Sequence, residues 1–347
     1  MVVMELKKRV NNVHSFFFEL IFLVLLPKTY AMKKFSIILC LFISFLNYGQ
    51  IDSLNYKKER KENRFKVAGR VIKNSVITIP GDFGEMGHSI SKDWKTSVFY
   101  AVGILGLIAT DHYTTTFLHE TIEPAIDYTL PDITIGKNNN FPWLSGEDAY
   151  IAYPLIGLYA GSFIVNNEKG QRAAANAIKS MAYSFVITHL ALKAIMGRNR
   201  PHRSLADNEP VEYPFTRDNW DFFNAKGVHG GVTALGTAMP SLHATAYYAV
   251  AKVIQMEYDN YWIPYGFVTL VFMANMKDHN HWVSDMLVGG LIGTVIGRSV
   301  VLSSRKQIEK DKNKLALKKS SNKLEFRKQL IPQISSSFLG LQFVASF

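Results

Sequence analysis

The 347-residue sequence contains a single cysteine, Cys40. One thiol excludes an intramolecular disulfide and any paired-cysteine metal motif, and it leaves the redox compartment open. Charge is sparse, at 19% of residues against 48% hydrophobic. There is no internal repeat and no glycine-rich nucleotide loop. Alternating β-branched runs are rare, which argues against an extended sheet. Long unbroken apolar stretches are also scarce. A bilayer span needs about 20 apolar residues, and several runs here are shorter or are interrupted by Lys179, His189 and Lys193.

What is present is a series of apolar, Ala- and Gly-containing runs of helical length. They cover Thr96 to Thr110, Tyr150 to Val165, Ala173 to Met196, Ala244 to Val253, Tyr261 to Met276 and Met286 to Val301. These predict an all-α domain of six helices. Near the C-terminus Leu339, Leu341, Phe343, Ala345 and Phe347 recur with period two, which predicts one short strand. A lone strand needs a partner, and the two candidates are a hairpin near Ser75 to Pro80 and an outer-membrane protein. The segments Asp111 to Asp148 and His202 to Met239 read as loop-rich.

The stretch MKKFSIILCLFISFLNYGQ from Met32 has two lysines, an apolar core from Phe35 to Leu46 and a small residue at Gly49. That is the pattern of a secretion signal. The predicted organisation is therefore an upstream extension over 1–31, a signal peptide or signal anchor over 32–50 and a basic segment over 51–93. A helical domain follows over 94–303, then a basic linker with a strand-like tail over 304–347. The net charge of +11 is concentrated in the flanks. It suits an anionic membrane surface, whereas nucleic acid is disfavoured because the basic stretches lack interleaved aromatics.

Three segments carry the chemistry. In KAIMGRNRP, Lys193 and Arg200 are seven residues apart, about two helical turns, so both can face one anion if the helix runs to Pro201. Arg200 offers a planar fork and Lys193 a point charge. With Arg198, the same residues also fit a solvated helix end. In AMPSLHAT, Ser241 precedes an apolar run as a helix N-cap, where backbone N–H groups bind anions, and His243 follows. In DHNHWVSD, His281 and Asp285 stand at i and i+4. The carboxylate can then hold one ring nitrogen and leave the other for attack. His279, His281 and Asp285 also fit a zinc set.

At these residues the chain resembles the type 2 phosphatidic acid phosphatase and vanadium haloperoxidase superfamily. That pattern is Lys, six residues, Arg-Pro; then Pro-Ser-any-His; then Arg, five residues, His, three residues, Asp. The chain matches it except that Asn275 stands where the third motif has arginine, with Lys277 and His279 as possible substitutes for its charge. The resemblance implies a six-helix bundle in which His281 is the nucleophile, Asp285 its orienting group and His243 the proton donor. Lys193, Arg200, Ser241, the Leu242 amide and Asn275 would surround the phosphate oxygens. It implies a phosphatase acting on a phosphomonoester or diphosphate of a lipid, with no metal and no cofactor. Vanadate would act as an inhibitor, or as the cofactor of an alternative haloperoxidase. A binding protein with an impaired site is the other alternative, because of Asn275.

The expected location is the bacterial cell envelope, periplasmic or at the inner membrane with the site facing the periplasm. An exported N-terminus followed by six crossings would put Arg200 and His281 in the cytoplasm. That conflict favours a bundle lodged on the membrane, although the basic stretch Arg305 to Lys328 has the look of a positive-inside tail. Trp220, Phe222 and Phe223 are candidates for an acyl or prenyl contact, or for a small satellite core.

Overall fold

The computed structural model describes residues 62–126, 128–131, 133–134, 143–206, 210–224, 235–276, 280–321, 327–335 and 338–346. The signal-like stretch from Met32, Lys277 and His279 lie outside the described residues.

The fold is all-α. Each of the six apolar runs corresponds to a helix, with small differences at the ends: α3 (Trp94–Phe117), α4 (Ala149–Ile164), α5 (Glu168–Ser184), α6 (Leu242–Tyr258), α7 (Trp262–Met276) and α8 (Val283–Ser321). Two of them change pitch. α3 continues through a π-helical turn, Leu118–Ile122, into Glu123–Ala125, so the start of the segment read as loop is helical. α5 continues through a π-helical stretch, Phe185–Leu192, into Lys193–Met196. Such insertions concentrate at functional sites, and the second leads directly into Lys193.

Among the described residues two further helices, α1 (Arg64–Ile77) and α2 (Ile79–Ser91), precede the six. Asn63 caps α1 by accepting from the Phe65 N–H at 2.9 Å. Pro80 falls in the first turn of α2, where a missing N–H removes no helical bond. The hairpin expected near Ser75 to Pro80 is therefore not formed. Polar ties fix this pair of helices to the bundle. Lys179 of α5 reaches the fully buried Asp82 of α2 at 2.9 Å, and Tyr183 donates to the same carboxylate at 2.8 Å. Arg70 pairs with Glu168 at 2.6 Å.

The C-terminal strand has a different partner from those expected. β4 (Phe338–Ser346) pairs antiparallel with β3 (Arg327–Ser335), in register from Arg327 against Ser346 to Ser335 against Phe338. The reading missed β3 because Lys328, Gln329, Pro332 and Gln333 break its apolar alternation. A second, minimal ladder joins β1 (Ile133–Thr134) to β2 (Ser145–Gly146).

α6 is the central helix. Ala244, Ala246, Tyr247, Ala249, Val250, Ala251 and Val253 are all buried, so it is covered on several sides. α8 lies along it at very short range, because Gly289, Gly293 and Gly297 recur every four residues on the facing side. A Cβ at 289 would sit 2.6 Å from the Ser241 carbonyl oxygen. At 293 and 297 it would press harder still on the carbonyls of Thr245 and Ala249. Only glycine permits this approach, and it brings the N-terminal ends of α6 and α8 together. α8 contains the stretch Val283–Leu317, which is long and apolar enough to cross a membrane by length and composition, with 56% of its apolar window buried inside the bundle.

Candidate active site

The first motif ends a helix earlier than its spacing suggests. Gly197 adopts the left-handed conformation (φ 52°) and returns its N–H to the Lys193 carbonyl at 2.8 Å, a glycine C-cap. Lys193 is therefore on the last helical turn and Arg200 is in the extended segment beyond it, not two turns along one face. That segment is held by backbone bonds on both sides. Thr216 N–H donates to Arg200 O at 3.0 Å, and Ala238 N–H donates to Arg198 O at 3.0 Å. The connection between the first two motifs thus packs along the first motif itself. Arg200 Nε donates to the Thr237 hydroxyl at 3.2 Å.

Ser241 is the N-cap of α6. Its Oγ accepts from Ala244 N–H at 3.5 Å, while its own N–H donates to the Asp285 carbonyl at 3.0 Å. Leu242 and His243 are thereby the first residues of a helix whose N-terminus meets the start of α8. His243 Nε2 lies 3.7 Å from Asp148 Oδ2, and Tyr247 donates to Asp148 Oδ1 at 2.6 Å. Trp143 packs edge-on against the His243 ring at 6.3 Å.

In the third motif, His281 sits two residues before α8, almost fully buried, with Nδ1 3.6 Å from Asp285 Oδ2. Asp285 is held from several directions. Trp282 N–H donates to Oδ2 at 3.1 Å, and Arg198 donates to Oδ1 at 2.7 Å. Arg198 is not part of a solvated helix end; it is fully buried. Its other terminal nitrogen donates to Asp111 of α3 at 2.8 Å, and its guanidinium carbon lies over the rings of Phe222 (5.0 Å to the centroid) and Trp282 (4.9 Å). Asp111 also accepts from the Ser284 N–H at 2.9 Å and from the Ser284 hydroxyl, which caps the start of α8. The result is one buried unit, Asp111–Arg198–Asp285, linking α3, the first motif and the third.

The electrostatics follow from burial. Lys193 has its pKa pushed down to about 7, chiefly by burial and further by the Arg200 charge, with Asp285 opposing. Asp285 is pushed up to about 6 by burial, against the favourable Arg198 charge and with Asp111 adding to the rise. Burial also lowers Arg200, again opposed by Asp285. Lys193, Arg200 and Asp285 therefore lie close enough to act on one another, so the charged groups of the first and third motifs share one site. Such a site, low in dielectric and rich in cations and N–H donors, can bind an anion and stabilise charge on it.

Asn275 is buried one residue before the end of α7. Of the three candidate aromatics, Phe222 joins a satellite core with Ile108, Met239 and Val288, whereas Trp220 and Phe223 remain exposed. Among the described residues no group of three or more His, Cys, Asp or Glu side chains could hold a metal ion.

Residues outside the motif reading complete the site: Asp111, Arg198, Ser284, Asp148 and the glycines of α8. The signals available for them were an aspartate directly after the apolar run that ends at Thr110, and glycine spaced by four at 289, 293 and 297.

The helical fold brings the three motifs to one buried, cation-rich site. Residues 173–309 match the family model described as the PAP2 superfamily, the superfamily that the motif resemblance implied. At the level of that family the activity is a phosphatase's. Searches of curated proteins and of solved structures find no match.

Proposed function

We propose that the protein is a metal-independent phosphatase that hydrolyses a phosphomonoester or diphosphate, of a lipid, through a phosphohistidine at His281. The observation that carries this reading is the buried His281–Asp285 pair, with Nδ1 facing the carboxylate at 3.6 Å beside the cations of the first motif. Asp285 engages Nδ1, so Nε2 is the attacking nitrogen. As the N–P bond forms, the P–O ester bond breaks, and His243 gives its proton to the leaving alkoxide oxygen. Water then attacks phosphorus, His243 takes its proton, and the P–N bond breaks to release phosphate and restore both histidines. Lys193, Arg200 and the N–H groups at Ser241 and Leu242 bear the charge on the non-bridging oxygens. Asp148, 3.7 Å from His243 Nε2, orients and stabilises the protonated ring.

The expected setting is the cell envelope, with the bundle lodged on an anionic membrane surface. Large apolar side chains exposed on α3, among them Trp94, Phe99 and Leu105, support that setting. The test is phosphate release from short and long alkyl phosphates and from a diphosphate, in excess chelator. Release that resists the chelator and is lost in His281→Ala supports the reading. Release that survives His281→Ala overturns it.

A further inference from the structure

We infer that a groove beside the third motif, lined by Tyr113, Thr114, Phe117, Leu118, Ile122 and Val283, holds one hydrocarbon chain of the substrate. This rests on the phosphatase reading and adds where and how the substrate's apolar part is recognised. The groove has a volume of about 350 Å³ and walls that are almost entirely carbon. A groove of that size is large enough for one alkyl chain.

Its position identifies the occupant. Val283, one wall of the groove, is the first residue of α8 and donates its N–H to Thr115 Oγ1 at 3.2 Å. His281 is two residues earlier, at most about 7 Å along the chain. A phosphate held at His281 therefore has its ester oxygen near the head of the groove. On α3, which supplies Tyr113, Thr114 and Phe117 to the groove, Val98, Val102, Leu105, Tyr113 and Phe117 are each at least half exposed and fall on one broad helical stripe. Water gains nothing from such walls, whereas an alkyl or prenyl chain anchored by its phosphate removes them from solvent. The π-helical turn Leu118–Ile122 shapes this side by turning Leu118 and Ile122 into the groove while His119 and Glu123 stay buried.

The experiment compares kcat/KM for butyl and decyl phosphate, both below their aggregation limits, in the natural chain, in Thr114→Trp, in Phe117→Ala and in Trp262→Ala. Trp262 is exposed on α7, is not among the residues that line the groove, and controls for general surface adsorption. Complete burial of one methylene is worth about fourfold, so the decyl-over-butyl ratio should exceed tenfold in the natural chain. It should fall toward one in Thr114→Trp and decrease in Phe117→Ala, and it should stay high in Trp262→Ala. A natural ratio near one, or a high ratio unaffected by both groove variants, overturns the inference while leaving the phosphatase reading intact. If neither ester releases phosphate, that reading fails, and photo-crosslinking with a decyl phosphate bearing a terminal diazirine decides the groove alone. Labelling confined to residues 113–122 supports it, and labelling elsewhere overturns it.

Discussion

Ser241 donates its backbone N–H to the carbonyl oxygen of Asp285 at 3.0 Å. This bond ties the cap of α6, where the second motif lies, to the first turn of α8, which carries the third. Its length depends on how closely the two helices approach, and that is set by glycines one to three turns away.

Gly293→Ala tests this dependence. The added Cβ presses on the Thr245 carbonyl, and over-packing of this kind costs about 1–3 kcal/mol. Thermal unfolding should show a lower Tm, and kcat should fall at temperatures where the variant remains folded. A variant with unchanged Tm and kcat would mean that the helices separate without disturbing the site.

The buried Asp111–Arg198–Asp285 unit should behave as a whole. Arg198→Met leaves two carboxylates buried without their cation, a loss of about 3–5 kcal/mol. Adding Asp111→Asn removes one of the stranded charges and should recover part of that loss. Equilibrium denaturation of the two variants reads the difference, and no recovery in the double variant would contradict the coupling.

The pH profile follows from two opposed shifts. As pH rises through about 6, Asp285 becomes a carboxylate and can orient His281; as it rises through about 7, Lys193 loses its ammonium. A plot of kcat/KM should be a bell with its maximum between these values, since it reports the free enzyme. In kcat the alkaline limb should move upward, because bound phosphate favours the ammonium. Lys193→Arg should abolish that limb. The same shifts act on stability. The unfolded chain binds more protons at Lys193 between pH 7 and its ordinary 10.5, so that group makes stability rise with pH there. The folded chain binds more at Asp285 between 3.8 and 6, so stability falls with pH across that window.

Asn275→Arg restores the cation that the third motif lacks. One preorganised donor is worth about 10²–10³ in kcat, so kcat/KM should rise at least tenfold if the arginine reaches the phosphate. A fall with an unchanged Tm would show that position 275 does not face it.

The six helices were legible because apolar runs of 10 to 24 residues with little β-branched alternation have few other solutions. The three motifs were legible because each is local. The rest depends on distance in space. Arg198 and Asp111 are 87 residues apart, and nothing local distinguishes a buried guanidinium from the solvated helix end that its neighbours also fit. Gly197, not Pro201, ends the first-motif helix, since a left-handed cap acts before the proline is reached. α1 and α2 were missed because Pro80 and nearby glycines resemble a turn until Pro80 is seen in a first helical turn, where it does no harm.

The most direct measurement is rapid acid-free quenching of the protein with a ³²P-labelled alkyl phosphate, followed by mapping of the label. Alkali-stable, acid-labile phosphate on His281, absent in His281→Ala and accumulating in His243→Ala, is the predicted result. Turnover without any phosphohistidine, or label on another residue, would contradict the account.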